Sequence, residues 1–150
     1  MIRMSKLTDY GIVLLTHMAM GAEGRVHTAQ DLAEASGVPL PTASKILKQL
    51  ARAGLVVSQR GRKGGYSLAR SADDVSVADI ICAIEGPIGI TDCGTEVAGA
   101  CSLEAICAAR SRWGPISRAI ALALGGVRLS AMRPGPARPA GAPADTGVTT

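Results

Sequence analysis

Three grouped cysteines are the residues of this sequence best suited to chemistry. Cys93, Cys101 and Cys107 are separated by seven and five residues, in a chain that holds four cysteines in all. This spacing is not the paired CxxC of a zinc knuckle, and three thiolates leave a four-coordinate site one ligand short. Soft thiolates on a glycine-containing loop suit an iron–sulfur cluster at least as well as zinc. The group therefore predicts a metal centre in preference to three incidental cysteines.

The remaining cysteine and the chain's location bear on this prediction. Cys82 lies among isoleucines, so we expect it to be buried as a small hydrophobe rather than to bind metal. The first residues lack the organisation of a signal peptide, and the apolar run 11–20 is too short to span a bilayer. We therefore expect a cytoplasmic protein with no membrane contact, in which thiols stay reduced and clustered cysteines bind metal rather than form disulfides.

Charge is segregated along the chain. Residues 35–72 contain no acidic residue but seven basic ones: Lys45, Lys48, Arg52, Arg60, Arg62, Lys63 and Arg70. Residues 72–107 contain seven acidic residues and no lysine or arginine. A one-signed basic stretch is typical of nucleic-acid binding. The pattern predicts a nucleic-acid-binding half followed by an acidic half that holds a cofactor.

The N-terminal part predicts two helices. The first runs from Leu7 to Met20, with Thr8 as its N-cap and apolar residues at helical spacing. Thr28 starts a capping-box pattern, which predicts a short second helix that ends at Gly37 and turns Ala35 inward.

A third helix and a hairpin follow. The helix enters at Pro41 and runs to about Ala53, with an apolar inner face and a basic outer face. Together with the second helix it forms a helix-turn-helix pattern. Strands at 55–57 and 66–68, joined by the glycine-rich basic turn 61–65, predict a wing. The turn has no Walker or GxGxxG spacing, so we discount a nucleotide-binding loop; a solvated basic hairpin is the simpler alternative.

The C-terminal half predicts two further helices around a long loop. Ser76 opens a second capping box for a helix to Glu85. Residues 86–100 show no periodicity, and a short helix is expected at 103–109. A last helix at 115–127 carries an apolar stripe suited to a partner copy: Ile116, Ile120, Ala123 and Val127.

These elements predict a mainly α fold with a small β-hairpin wing. The expected units are a winged helix-turn-helix DNA-binding domain at residues 1–70, a cluster-binding loop with dimerisation helices at 71–129, and a disordered tail at 130–150. Catalysis has little support, because no nucleophile–base pair or carboxylate dyad is legible.

Several segments together resemble the Rrf-two family of winged-helix regulators. They are residues 7–11, 41–55, 60–68 and 77–81, Glu85 with Gly86, the three cysteines and Trp113. The resemblance covers about Met1 to Val127, and its details are most similar to the branch that regulates the Suf iron–sulfur assembly system. It implies a homodimer with crossing C-terminal helices, DNA binding by the third helix and the wing, and a cluster in the acidic half.

The resemblance also implies roles for individual residues. The expected DNA contacts are Thr28, Pro41, Thr42, Ser44, Lys45, Lys48, Arg52, Arg60, Arg62 and Lys63. Among them, Pro41, Thr42, Ser44 and Lys45 would face the major groove and Arg60 the minor groove. The cluster, 2Fe–2S or 4Fe–4S, would be held by the three cysteines. Arg110 stands where the Isc branch has a ligating histidine, so the fourth ligand is Asp9, which matches the aspartate of the nitric-oxide-sensing branch, or is unidentified.

The sequence thus predicts a cluster-dependent regulator that binds double-stranded promoter DNA and represses Suf assembly genes. Three alternatives stay open: a nitric-oxide or redox-sensing repressor of the same family, an iron–sulfur carrier or redox protein whose basic half docks an acidic partner, and a zinc-stabilised regulator without redox sensing.

Overall fold

The computed structural model of the chain describes residues 3–91, 106–108 and 110–134. Its elements in chain order are α1 Lys6–Met20, α2 Ala29–Ser36, α3 Leu40–Arg52, β1 Val56–Gln59, β2 Gly65–Leu68, α4 Val77–Glu85, α5 Arg110–Gly125 and a 3₁₀ turn Leu129–Met132. The mainly helical architecture with one antiparallel hairpin confirms the predicted fold class. No helix in the described part of the chain is long and apolar enough to cross a membrane.

Local side-chain chemistry starts and stops two of the helices as predicted. Thr28 and Ser76 each accept a hydrogen bond from the third helical residue, whose carboxylate bonds back to the cap. These two capping boxes satisfy backbone donors that the first turn leaves free. Gly37 then ends α2 in the left-handed region, at a φ of 73° that glycine adopts without a steric penalty.

Two details of the N-terminal helices differ from the prediction. The N-cap of α1 is Ser5 rather than Thr8, and the backbone N–H of Thr8 donates to Ser5 Oγ at 3.2 Å. The Thr8 side chain is instead completely buried. In α2, Ala33 faces the core and Ala35 is exposed, because the inward face continues from Leu32 to its immediate neighbour.

One core joins the N-terminal helices to α4 and the end of the described chain. Its completely buried aliphatic residues are Leu14, Leu15, Ala43, Ile46, Leu47, Leu50, Val75, Ile80 and Leu129. Leu129 enters this core because the chain after α5 returns to the 72–77 segment. Its N–H donates to the Val75 carbonyl at 2.8 Å, and Ser130 N–H donates to the Ala72 carbonyl at 3.1 Å. Residues 130–132, expected in a disordered tail, therefore lie in a folded turn.

The wing is a hairpin with a third strand-like neighbour. In the register of β1 and β2, Val56 lies opposite Leu68 and Gln59 opposite Gly65. On the other edge of β2, Tyr66 and His27 exchange backbone hydrogen bonds of 2.7 and 2.8 Å. A Cβ atom on Gly65 would meet the His27 carbonyl group, so this close approach requires glycine. The hairpin is thereby anchored to the segment that leads into α2.

Helix α5 is longer than predicted. It begins at Arg110 rather than at Pro115, and Pro115 lies inside it. Of the predicted partner-facing stripe, Ile116, Ala123 and Val127 are exposed and Ile120 is half-buried. Of the short helix expected at 103–109, only residues 106–108 are described, and they are not assigned to a helix. Most of the expected loop at 86–100 lies outside the described residues.

Candidate nucleic-acid interface and metal-binding residues

Helix α3 presents a basic face to solvent. Its inner face is completely buried, through Ala43, Ile46, Leu47 and Leu50. Lys45, Lys48 and Arg52 are exposed and follow one another at intervals of three and four residues, which aligns them along one side of the helix. Pro41 is exposed at the start of the same side, and Thr42 and Ser44 are half-buried beside it.

The wing tip places three more cations in solvent. Arg60, Arg62 and Lys63 are all exposed in the turn between β1 and β2. Gly64 N–H donates to the Gly61 carbonyl at 3.0 Å and closes the turn. A Cβ atom on Gly64 would run into the backbone of the same turn. The glycines therefore permit a turn tight enough to hold the basic side chains together at its tip.

Thr28 lies beside this wing. It directly follows His27, which pairs with β2, so the N-terminus of α2 is adjacent to the hairpin. Thr28 is exposed, and its hydroxyl oxygen accepts from Asp31 N–H at 3.0 Å, which leaves the hydroxyl hydrogen free to donate. Burial, followed by the charge of Arg25, lowers the pKa of His27. The pairing of His27 with β2 has no clear signal in the sequence.

The predicted metal ligands are only partly within the described residues. Asp9 is exposed in the first turn of α1, and Cys107 is half-buried before α5. Cys93 and Cys101 lie outside the described residues. Within the described ranges, no group of three His, Cys, Asp or Glu side chains is arranged to hold a metal ion. The donor chemistry itself fits a cluster, since thiolates with one carboxylate are suitable iron ligands.

Cys82 is not the core residue that we predicted. Its side chain is exposed on α4, whereas Val77, Ile80 and Ile81 are buried. Residues adjacent in sequence point in different directions on a helix, so the isoleucines beside Cys82 do not cover it.

The end of α4 makes contacts that the sequence analysis did not anticipate. The Glu85 carboxylate accepts hydrogen bonds from Thr8 Oγ and, at 3.3 Å, from the Ser5 backbone N–H. The bond from Thr8, with that from Ser5, lowers the pKa of Glu85. Gln49 Nε2 on α3 donates to the Ile84 carbonyl at 2.9 Å. The last turn of α4 is thus bonded to both α1 and α3.

Comparison of the sequence with known proteins identifies a family and similar curated proteins. Residues 4–133 match the sequence profile of the Rrf2 family, described as an iron-dependent transcriptional regulator. The HTH-type transcriptional regulator Rv1287 of Mycobacterium tuberculosis is 41% identical over 86 residues, which are 57% of this chain and 53% of that protein. The chain therefore spans about half the length of the curated relatives it matches. These relatives are transcriptional regulators and not enzymes, which agrees with the prediction against catalysis.

Solved structures of similar fold include two regulators. CymR, the global cysteine regulator of B. subtilis, superposes with a TM-score of 0.66 at 27% identity and covers 87% of this chain and 95% of its own. IscR of T. potens gives the same TM-score and identity, and covers 87% of this chain and 85% of its own. Both likenesses extend well beyond the winged half.

Proposed function

This chain belongs to the Rrf2 family, and from that premise we propose that it is a transcriptional regulator that binds promoter DNA under the control of a metal cluster. The observation that carries the proposal is the row of Lys45, Lys48 and Arg52 on the exposed face of α3, next to a wing with a basic tip. Regulators of the helix-turn-helix class insert such a helix into the major groove.

The proposed DNA contacts divide by position. Helix α3 has 13 residues, a length of about 20 Å, and the major groove is about 12 Å wide. Pro41, Thr42, Ser44 and Lys45, at its N-terminal end, would reach base edges. Further basic or polar groups would bind phosphates: Lys48, Arg52, Arg62, Lys63 and Thr28. Arg60 would enter the minor groove, whose narrow A·T-rich form favours arginine.

We further propose a homodimer formed through α5. Leu122 is 77% exposed and Ile116 is 42% exposed on this helix in the single chain. Large apolar side chains that a helix leaves exposed in the single chain are candidates for burial in an interface. A second copy related by twofold symmetry would place two α3 helices on half-sites about 34 Å apart.

The cluster would be held by Cys93, Cys101 and Cys107, with Asp9 of a second copy or an unidentified group as the fourth ligand. When bound, a cluster supplies a centre that reacts with oxidants and nitric oxide and is lost when iron is scarce. The resemblance to the Suf-regulating branch supports repression of iron–sulfur assembly genes as the role. A nitric-oxide-sensing repressor is the alternative that the position of Asp9 supports.

The first experiment is anaerobic purification followed by iron and sulfide analysis and operator titrations of the loaded and metal-free protein. We expect a coloured protein, different DNA affinities for the two forms, and a loss of about a thousandfold in affinity between low and physiological salt if about six phosphates are bound. A colourless, zinc-loaded product would refute the cluster. If neither form bound DNA selectively, the regulator would be refuted and a carrier protein favoured.

Two substitutions test the halves separately. Arg60→Ala should weaken operator binding by about 1–3 kcal/mol if its side chain reads a groove, and unchanged affinity would remove the wing from the interface.

Cys101→Ala should abolish the visible chromophore and leave a folded protein by circular dichroism. A retained chromophore would show that this thiol is not a required ligand.

A further inference from the structure

The last turn of α4 is bonded both to α1 and to α3, the proposed recognition helix. We propose that Glu85 is a positioning residue: together with Ile84 it holds α1 and α3 in a fixed relation to the end of α4, the helix that precedes the proposed cysteine ligands in sequence. The inference rests on the proposed function, because the consequence of this relation is the spacing that α3 presents to DNA.

The first contact joins Glu85 to the beginning of α1. Ser5 caps this helix, and the Glu85 carboxylate accepts from both its backbone N–H and the hydroxyl of Thr8. The first turn of a helix has free N–H groups and a partial positive charge, so a carboxylate is stabilised there. Thr8 is completely buried, and its hydroxyl would lose its carboxylate partner if Glu85 were removed.

The second contact brings the backbone of α1 close to α4. Gly11 is buried, and a Cβ atom at this position would collide with the Cδ1 atom of Ile84. The Ile84 side chain therefore packs directly on α1, and the absence of a side chain at Gly11 permits this contact. A shift of the α4 terminus would move the Ile84 side chain against the backbone of α1, where packing leaves little free space.

The third contact joins α4 to the proposed recognition helix. Gln49 donates to the Ile84 carbonyl at 2.9 Å, one of the carbonyls that a helix leaves unpaired at its C-terminus. Gln49 directly follows Lys48, whose side chain belongs to the exposed basic face. The last turn of α4 thus makes hydrogen bonds to both α1 and α3.

The chain beyond this turn leads toward the proposed ligands. Gly86 ends α4 at a φ of 94°, in the region that favours glycine. Ile90 N–H then donates to Ser117 Oγ on α5 at 3.4 Å, and Cys93 follows three residues later in sequence. On the other side, Asp9 is adjacent to Thr8. The Glu85 contacts therefore adjoin Asp9 on α1 and belong to the helix that precedes Cys93 in sequence.

The test compares operator affinity of the loaded and metal-free forms in four proteins: wild type, Glu85→Ala, Glu85→Gln and Glu23→Ala. Glu23 is exposed in the turn after α1 and serves as the matched control. Allosteric coupling is typically about 5- to 150-fold. We expect Glu85→Ala to bring the affinity ratio of the two forms at least about fivefold closer to one. Glu85→Gln, which keeps an acceptor oxygen, should fall between it and wild type, and Glu23→Ala should match wild type.

A wild-type ratio retained in a folded Glu85→Ala protein would overturn the positioning role. Amide hydrogen exchange of the metal-free protein without DNA provides a second readout. Asp9 N–H is bonded to the Ser5 carbonyl, so exchange at Asp9 and Tyr10 should be faster in Glu85→Ala than in Glu23→Ala. If loaded and metal-free wild type bound the operator equally well, the proposed control by the metal would be refuted. Amide exchange would then decide the inference alone: faster exchange in Glu85→Ala would support the positioning role of Glu85, and unchanged exchange would overturn it.

Discussion

Replacing Leu122 with alanine should weaken the proposed homodimer strongly while leaving the fold of each copy intact. Fully burying a leucine side chain contributes about 1.5–3 kcal/mol. Because 77% of Leu122 is exposed in the single chain, about 1–2 kcal/mol per copy is available on association. A twofold interface contains the residue twice, which gives about 2–4 kcal/mol, or a dimer dissociation constant raised about 30- to 900-fold.

Sedimentation equilibrium over a range of protein concentrations measures this constant directly. Leu40→Ala is the matched control, since Leu40 is also an exposed leucine, at 43%, but lies on α3. Without DNA present, Leu40→Ala should dimerise as wild type does. Circular dichroism should show the same helical content in all three proteins, because Leu122 makes only a small part of its surface inaccessible within its own chain.

A wild-type dissociation constant for Leu122→Ala would refute the burial of Leu122 in the interface. A wild-type protein that stays monomeric at every concentration would refute the homodimer itself. If the dimer is weakened, operator affinity measured below the new dissociation constant should fall as well, because a monomer occupies one half-site instead of two.

Three further predictions concern stability and are measured by urea unfolding. Gly65→Ala places a methyl group against the His27 backbone and should cost about 1–3 kcal/mol; Gly125→Ala, where a Cβ atom meets nothing, should cost nothing, and equal stability of the two variants would contradict this. Ser76→Ala removes the N-cap of α4 and should cost about 1 kcal/mol, whereas wild-type stability would show that the cap is dispensable. Burial raises the pKa of Asp79, but hydrogen bonds from Ser76 together with the charges of Arg70 and Arg128 outweigh it and hold the pKa below its ordinary 3.8. A carboxylate with a lowered pKa stabilises the fold at neutral pH and loses that contribution below about pH 4, so Asp79→Asn should flatten the acid limb of the stability curve, and an unchanged limb would refute the assignment.

Features determined by neighbouring residues could be predicted from the sequence. The capping boxes at Thr28 and Ser76 involve residues three positions apart, and Gly37 stops α2 by its own backbone freedom. The amphipathic spacing of α3 likewise shows which side is buried, so the basic face was predictable together with its exposure. The exposure of Cys82 could also have been predicted. The helical spacing of Val77, Ile80 and Ile81 indicates that they form the buried face of α4 and that Cys82 lies on another face, and the error came from counting sequence neighbours as spatial ones.

Features determined by distant residues could not be predicted. Thr8 looks like a cap because it precedes an acidic residue, yet it is buried and its hydroxyl donates to Glu85, which is 77 positions away. Leu129 stands before a stretch of proline, alanine and glycine, and nothing local indicates that its N–H pairs with Val75. The same limit applies to the proposed ligands Asp9 and Cys107, because residues that are far apart in a sequence have no compact signature even where they form one site.

The segregation of charge has a consequence for how the two halves are joined. Ser5, Thr8 and Gln49 are neutral donors, and they make the bonds to Glu85 and to the Ile84 carbonyl. Salt weakens interactions between exposed charges much more than hydrogen bonds with neutral, partly buried partners. Rising ionic strength should therefore weaken the proposed phosphate contacts steeply and leave the contacts of the last α4 turn nearly unchanged. Both DNA affinities should fall across a salt series, while the ratio of the loaded to the metal-free affinity stays constant. A constant ratio would show that the coupling is independent of the DNA contacts. A ratio that falls together with the affinities would mean that the coupling acts through exposed charges instead.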